Sequence, residues 1–508
     1  MNRPTRTRRH PVASLTMATV FAAALAFPLN LSAQLARGSL VGVVSSDDGG
    51  ALPGVVVTLV GRERSFRQHS DEDGKIRFLD LDPGNYKLRA IRDGFQSADY
   101  PSVEILLGRA TLVQIRMSRT PGETLVVTSE PPLLATGPEP LGVRITSYEL
   151  DAIPTSRDPW SVVAQAPGVI LEAPNTGGNK ANSQLAFVGP GASRAQNSFV
   201  LDGVEVTDLT AAGSSPISYD LDQLEEVRVT IGGPDAAAAQ SGVLVDLVTK
   251  RGTDQWRGSG RYFLTHRNWQ STPDITFVPR PDPPTDLDPG EIPPPRGGPG
   301  TAVAFVTAGE EPPPRLAVGR ILGVDDLGAE GGGLLVPERL WIWGSFGSVE
   351  ARQTALGGDR ESSLFNNSAI KGNAQLFPSN SMSLALHRSD KTRTGIGAGP
   401  TREPDAQQTQ HARTSIWKLE DSQVLGPNLH VSLLASRLDG GFRALPSSSP
   451  LAEPLLAADG VWRGSYAKSE VERDATQQQV EARTFSTLGQ ITHEARLGLS
   501  NRVFDSAD

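Results

Sequence analysis

The spacing of hydrophobic and polar positions changes twice along this chain, and the changes divide it into three regions. Between Asp71 and Leu88 the two kinds of residue alternate around Pro83-Gly84, which places Ile76, Phe78, Tyr86 and Leu88 on one face and Lys75, Arg77, Lys87 and Arg89 outward. Ser39–Ser45 and Gly54–Gly61, joined through Asp47-Asp48-Gly49-Gly50, and a last strand Thr111–Met117 extend this into a small β-sandwich over residues 38–118. From residue 141 to 254 the apolar runs become short. Ser198–Leu201, Val227–Ile231 and Gly242–Thr249 are separated by Gly, Pro, Asp and Asn, the pattern of buried strands punctuated by turns. Ser156 is placed to cap a helix leading to Pro167-Gly168-Val169.

From residue 255 the alternation is weak and long. Trp256–Leu264, Pro337–Phe346, Asn373–Phe377, Ser381–His387, Ser415–Leu419, His430–Ser436, Gln478–Ala482 and Ile491–Leu499 mix apolar with small or polar residues, as transmembrane β-strands do. Residues 274–330 are rich in Pro, Gly and Asp, and are expected to form a long surface loop. The predicted fold class is mainly β: an N-terminal β-sandwich, an α+β middle domain and the first part of an antiparallel transmembrane β-barrel.

Composition narrows the chemistry. The 52 glycines and 39 prolines favour turns and thin strands over one helical core. With no cysteine, disulfides and thiolate metal sites are excluded, and a net charge of −9 gives no basic face for nucleic acid. Arg3, Arg6, Arg8 and Arg9 precede the apolar run Val12–Phe27, and Leu31-Ser32-Ala33 follows, which reads as a secretory signal peptide over residues 1–33. The seven histidines are scattered without metal-ligand spacing. Gly189-x-Gly191 lacks the dinucleotide pattern, and no nucleophile elbow occurs. Glu225 and Glu226 are adjacent, so a strand sends them to opposite faces, and Asp71-x-Asp73-Gly74 reads as a turn rather than a calcium loop. No cofactor, metal site or enzymatic centre is expected.

Two families are resembled. Asp71, Gly74, Phe78, Leu81, Pro83, Gly84, Tyr86 and Leu88 follow the D-x-x-G, aromatic, L-x-P-G-x-Y-x-L pattern of the carboxypeptidase regulatory-like domain, a carbohydrate-binding-like fold. These positions serve core and turn, so sugar binding is not implied. Within the linker 119–140, Glu123, Thr124, Leu125, Val126, Val127 and Thr128 resemble the TonB box of TonB-dependent outer-membrane transporters, which adds as a strand to TonB.

Residues 141–254 resemble that family's plug. Arg194, Asn197, Asp202, Gly203 and Asp208 match its R-x-x-N…D-G-V…D run, with Asp202-Gly203 also readable as a tight hairpin turn. Asp246 and Asp254 stand where the family's last plug strand has Asn, and Val188-Gly189 where it has R-G. Gly331–Phe346 resembles a hairpin of the Oar-like branch. About eight barrel strands are visible, against roughly twenty-two in the family. The resemblance implies the N-terminal part of a receptor in the Gram-negative outer membrane, in contact with its lipid. It would take up a specific substrate (siderophore, oligosaccharide, peptide or protein) with energy from TonB and its inner-membrane complex. The alternative is an exported carbohydrate-binding or adhesion protein without transport.

Overall fold

The computed structural model describes residues within 38–507, apart from 120–140, 176–183, 233–241, 280–301, 307–319 and shorter stretches; the expected signal peptide and Glu123–Thr128 lie outside the described residues. The N-terminal part contains β1 (Gly38–Ser46), β2 (Val56–Val60), β3 (Ser65–His69), β4 (Lys75–Leu81), β5 (Gly84–Ile91), β6 (Ala98–Ile105) and β7 (Ala110–Met117). They form two sheets, ordered β4-β1-β7 and β3-β2-β5-β6. β1 is central, antiparallel to β4 and parallel to β7. The connection from β1 to β2 therefore crosses between sheets and closes no hairpin. Ile76, Phe78, Tyr86 and Leu88 are all buried as expected. They meet from opposing sheets, however, because β4 and β5 do not pair. Asp71 Oδ1 accepts from the backbone N–H of Asp73 (3.0 Å) and Lys75 (2.7 Å), with Gly74 at φ +74°, so the acidic cluster is an Asx-type turn.

The central domain begins with β8 (Leu141–Thr146), a short helix at Ser147–Ala152 and another at Pro159–Val163. Asp158 caps the second helix, accepting from Ser161 N (2.9 Å) and Ser161 Oγ (2.6 Å). The expected cap Ser156 lies outside the described residues. Proline at N1 needs no donor of its own, so the carboxylate immediately before it is the stronger capping residue. Then follow β9 (Ile170–Leu171), β10 (Phe187–Val188), β11 (Ser198–Leu201), β12 (Val204–Glu205), β13 (Leu224–Gly232) and β14 (Leu244–Thr249). Five of these strands make one sheet, β12-β11-β14-β13-β8. Its core is aromatic: Trp160 lies 5.7 Å from Phe199, edge to face, and 6.3 Å from Phe187.

The remainder is β15 (Arg257–His266), β16 (Ile275–Pro279), β17 (Ala302–Val306), β18 (Arg320–Val336), β19 (Leu340–Thr354), β20 (Arg360–Ala374), β21 (Asn380–Ile396), β22 (Gln408–Leu425), β23 (Leu429–Pro446), β24 (Leu455–Leu456), β25 (Trp462–Arg463), β26 (Ser469–Leu488) and β27 (Ile491–Ala507). Nine of them form one antiparallel sheet, β15-β18-β19-β20-β21-β22-β23-β26-β27. At one end every connection is short (337–339, 375–379, 426–428, 489–490); at the other, 355–359 is short and 397–407 and 447–468 are longer. One face buries polar residues against the central domain; the other exposes Phe346, Ile370, Leu384, Leu386, Trp417, Leu419 and Leu433.

Two expectations change. The stretch 274–330 is not all loop, because residues 320–330 are the first part of β18, and β16 and β17 form a small parallel pair. Glycine in β18 marks close backbone approach rather than a break: a Cβ at Gly333 would lie 2.6 Å from the Trp256 ring. β20 also lies mostly ahead of the expected Asn373–Phe377 segment, because Asn and Ser hold many of its positions on both faces and dilute the alternation.

Candidate functional site

The inward side chains of the nine-stranded sheet, called the wall below, form rows in cross-strand register, and the rows meet the central domain differently. Of three successive rows that meet the central domain, the one on the side of the long loops is Asn367–Ser389–Thr414–Gly440–Arg473. Asn367 Nδ2 donates to Ser218 O (2.8 Å), Thr414 Oγ1 donates to Pro216 O (3.0 Å), and Arg473 pairs with Asp208. The next row, Ala369–His387–Ile416–Leu438–Ala475, supplies Ile416, Leu438 and Ala475 to the central domain's apolar core. Below it runs Lys371–Ala385–Lys418–Ser436–Gln477, which grips the Asp202-Gly203 turn.

That turn is the centre of the site. Asp202 and Gly203 both have positive φ, +49° and +82°, between paired Leu201 and Val204, as a two-residue hairpin with a matching twist requires. Asp202 is 3% exposed. Thr249 donates to its carboxylate from N (3.0 Å) and Oγ1 (2.5 Å), Lys371 Nζ donates to both oxygens at 3.2 and 3.1 Å, and Lys418 Nζ donates to its carbonyl. Burial pushes the Asp202 carboxyl up, but Lys371, Lys418 and His387 together outweigh it and hold the group below the usual carboxylate range. Gln477 completes the grip, accepting from Glu205 N at 2.9 Å and donating to Gly203 O at 3.4 Å.

A second anchor lies where the central domain continues into the wall. Arg261 of β15 forks onto Asp220 (2.9 Å), Asp222 and Asp326 (2.9 Å), and Arg157 adds to Asp222 and Asp326. Lys250 reaches Glu330 at 3.0 Å, and Trp341 Nε1 donates to Asp254 Oδ1 at 2.9 Å. A Cβ at Gly347 would collide with the Asp220 carboxylate, so glycine is required where the domain touches β19.

The motif residues do not all converge. Asp202 and Gly203 form the hub. Asp208 accepts from Thr210 N (2.8 Å) and Ala211 N (3.0 Å), ordering a turn that also meets Arg473. Asn197, fully buried, donates to Phe187 O at 2.8 Å and accepts from Val243 N at 3.1 Å, tying β10 to the start of β14. Arg194 stands apart and exposed, 3.8 Å from Glu172. Lys371, Lys418, Gln477, Arg473 and Arg261 were not singled out by the sequence reading; their only signal was polarity at inward positions of the alternation. Asp246, on β14, is buried, and its Oδ1 has no hydrogen-bond partner among the described residues. Burial and the nearby Glu226 and Asp202 carboxylates, opposed by Arg228, push it up to about 6. Among the described residues no group of three or more His, Cys, Asp or Glu could hold a metal ion, and no helix is long and apolar enough to cross a membrane.

A mainly-β chain with an N-terminal sandwich, an α+β domain and an antiparallel barrel-type sheet has the fold of TonB-dependent outer-membrane receptors. The outer-membrane transporter YddB of Escherichia coli superposes with a TM-score of 0.52 at 10% identity, over 72% of this chain and 48% of that one. The siderophore receptor PirA of Acinetobacter baumannii gives 0.47 at 14%, over 71% and 47%. Residues 39–118 match the carboxypeptidase regulatory-like domain. In sequence the chain is similar to the TonB-dependent transporter Oar of Myxococcus xanthus, 24% identical over 194 residues, 37% of this chain and 18% of that protein. The chain thus spans about half the length of the solved structures and aligns with under a fifth of Oar.

Proposed function

We propose that this chain is part of a receptor in the outer membrane that takes up a specific substrate with energy delivered through TonB. In this reading residues 141–254 are the plug, the nine-stranded sheet is part of the barrel wall, and the short turns face the periplasm, as in outer-membrane barrels. The outward apolar side chains Ile370, Leu384, Leu386, Trp417, Leu419 and Leu433 suit lipid contact. The observation that carries the proposal is how the central domain is held. Ion pairs and hydrogen bonds from Lys371, Lys418, Gln477, Arg473 and Arg261 grip it around only a limited apolar contact. A polar grip can be exchanged for water when the domain moves, which suits a stopper that has to yield.

TonB would pair with Glu123–Thr128, and the cargo would be a siderophore, oligosaccharide, peptide or protein. Replacing Val126 with Pro removes a backbone donor from the strand that would be added, so TonB binding should weaken or vanish. Unchanged TonB affinity of V126P would remove the box assignment.

A further inference from the structure

β8 is held in the central sheet on one side only. It has six residues, lies at the sheet's edge and pairs with β13 alone. It is also the first strand after the linker, so a displacement of the linker reaches β8 before the rest of the domain. A contact from outside the domain adds to that one-sided pairing. Arg144 of β8 forms an ion pair with Glu104 of β6, 40 positions earlier in the N-terminal sandwich. Within the central domain Arg144 also faces Glu226 at 4.0 Å, and Arg228 lies 3.6 Å from the same carboxylate. Glu226 is 4% exposed, so Arg144 is part of what compensates a buried charge. Thr111 Oγ1 donates to Glu104 O at 2.9 Å, which ties the residue bearing the sandwich's carboxylate to β7.

The sandwich has a second foothold. β4 comes against β22 of the wall, the strand that carries Lys418, and Leu79 of β4 is buried without belonging to the sandwich's own apolar core. A domain attached through its linker alone would make neither contact. We infer that the sandwich functions as a clamp on the central domain: braced against β22, it holds β8 in its sheet through Glu104 and Arg144. β8 cannot leave β13 without breaking that pair, so the sandwich sets how readily the domain opens from its first strand. This gives a role to a sandwich whose motif residues serve only core and turn, and it requires no ligand on the sandwich. The clamp rests on the docked arrangement of the three parts and needs no TonB.

The test uses the full-length gene product, folded in detergent and checked by heat-modifiable migration. Backbone hydrogen exchange is followed at β8 (Leu141–Thr146) and, for comparison, at β14 (Leu244–Thr249). Glu104→Gln removes the charge from a partly exposed pair and should speed exchange of β8 about threefold. Glu104→Arg sets like charges side by side and should speed it by about tenfold or more. Exchange of β14 should stay as in the unmodified protein. In an Arg144→Gln background, Glu104→Gln should have no further effect, because the pair is already gone. The clamp is overturned if β8 exchanges alike in the unmodified protein, Glu104→Gln and Glu104→Arg. Equal acceleration of β8 and β14 overturns it too, since the whole domain would then be loosened. So does a full effect of Glu104→Gln in the absence of Arg144, since the pair would then not carry it. None of these outcomes bears on V126P, so the clamp and the TonB reading fail separately.

Discussion

Asp202 carries two tasks at one position: a left-handed backbone, and a buried charge shared by two lysines from separate strands. Removing one partner of a buried pair leaves the other uncompensated, at roughly 3–5 kcal/mol. Asp202→Asn keeps the turn preference and loses the charge, so the central domain should lose about that much docking stability, read as earlier proteolysis of residues 141–254 in a urea titration. The turn was legible in the sequence, but the charge was not, because Lys371 and Lys418 lie 169 and 216 residues away.

Asp246 runs the other way. Its folded pKa, about 6, is above the ordinary 3.8, so the native state binds the extra proton. Stability should therefore fall as pH rises from about 4 to 6, with a cost on the order of 3 kcal/mol at neutral pH. Asp246→Asn should raise the thermal midpoint at pH 7 and flatten that slope. A midpoint that is unchanged or lower at pH 7 would contradict the assignment. Asn is also the residue that the plug pattern carries there.

Elements depend on contacts of intermediate range. The helix Pro159–Val163 holds Trp160 in the core and starts at Asp158. Asp158→Ala should cost about 1 kcal/mol through the lost cap, seen as a small fall in the urea midpoint of the central domain. Gly347 is the wall's counterpart. Gly347→Ala puts a methyl where the Asp220 carboxylate sits, so the domain should fail to seat while the sheet still forms: heat-modifiable migration retained, resistance of residues 141–254 to protease lost. The sandwich strands were readable because two-sided alternation leaves a strong period. β20 was not. A strand that faces buried polar neighbours on one side and is exposed on the other needs no strict pattern, and Asn366, Asn367, Ser368 and Asn373 blur what there is.

For the whole molecule, the two anchors are independent in space. Arg261→Ala would strand Asp220, Asp222 and Asp326 near the β15 junction, whereas Asp202→Asn acts on β20 and β22. Their effects on central-domain protection should add to within about 0.5 kcal/mol in a double mutant, because they share no partner. Strong coupling would mean that the domain releases as one rigid unit.

The sequence alone determined the mainly-β class with its N-terminal sandwich, α+β middle and long antiparallel strands, the Asp202-Gly203 turn and the lack of cysteine. All of these are local: they depend on period, turn residues and composition within a few positions of each other. Only the tertiary structure decided which strands share a sheet, which lysines meet Asp202 and how Arg261 gathers three carboxylates. Those facts depend on register between strands far apart in the chain. A period of two says which residues face inward, but nothing in it says what they will face.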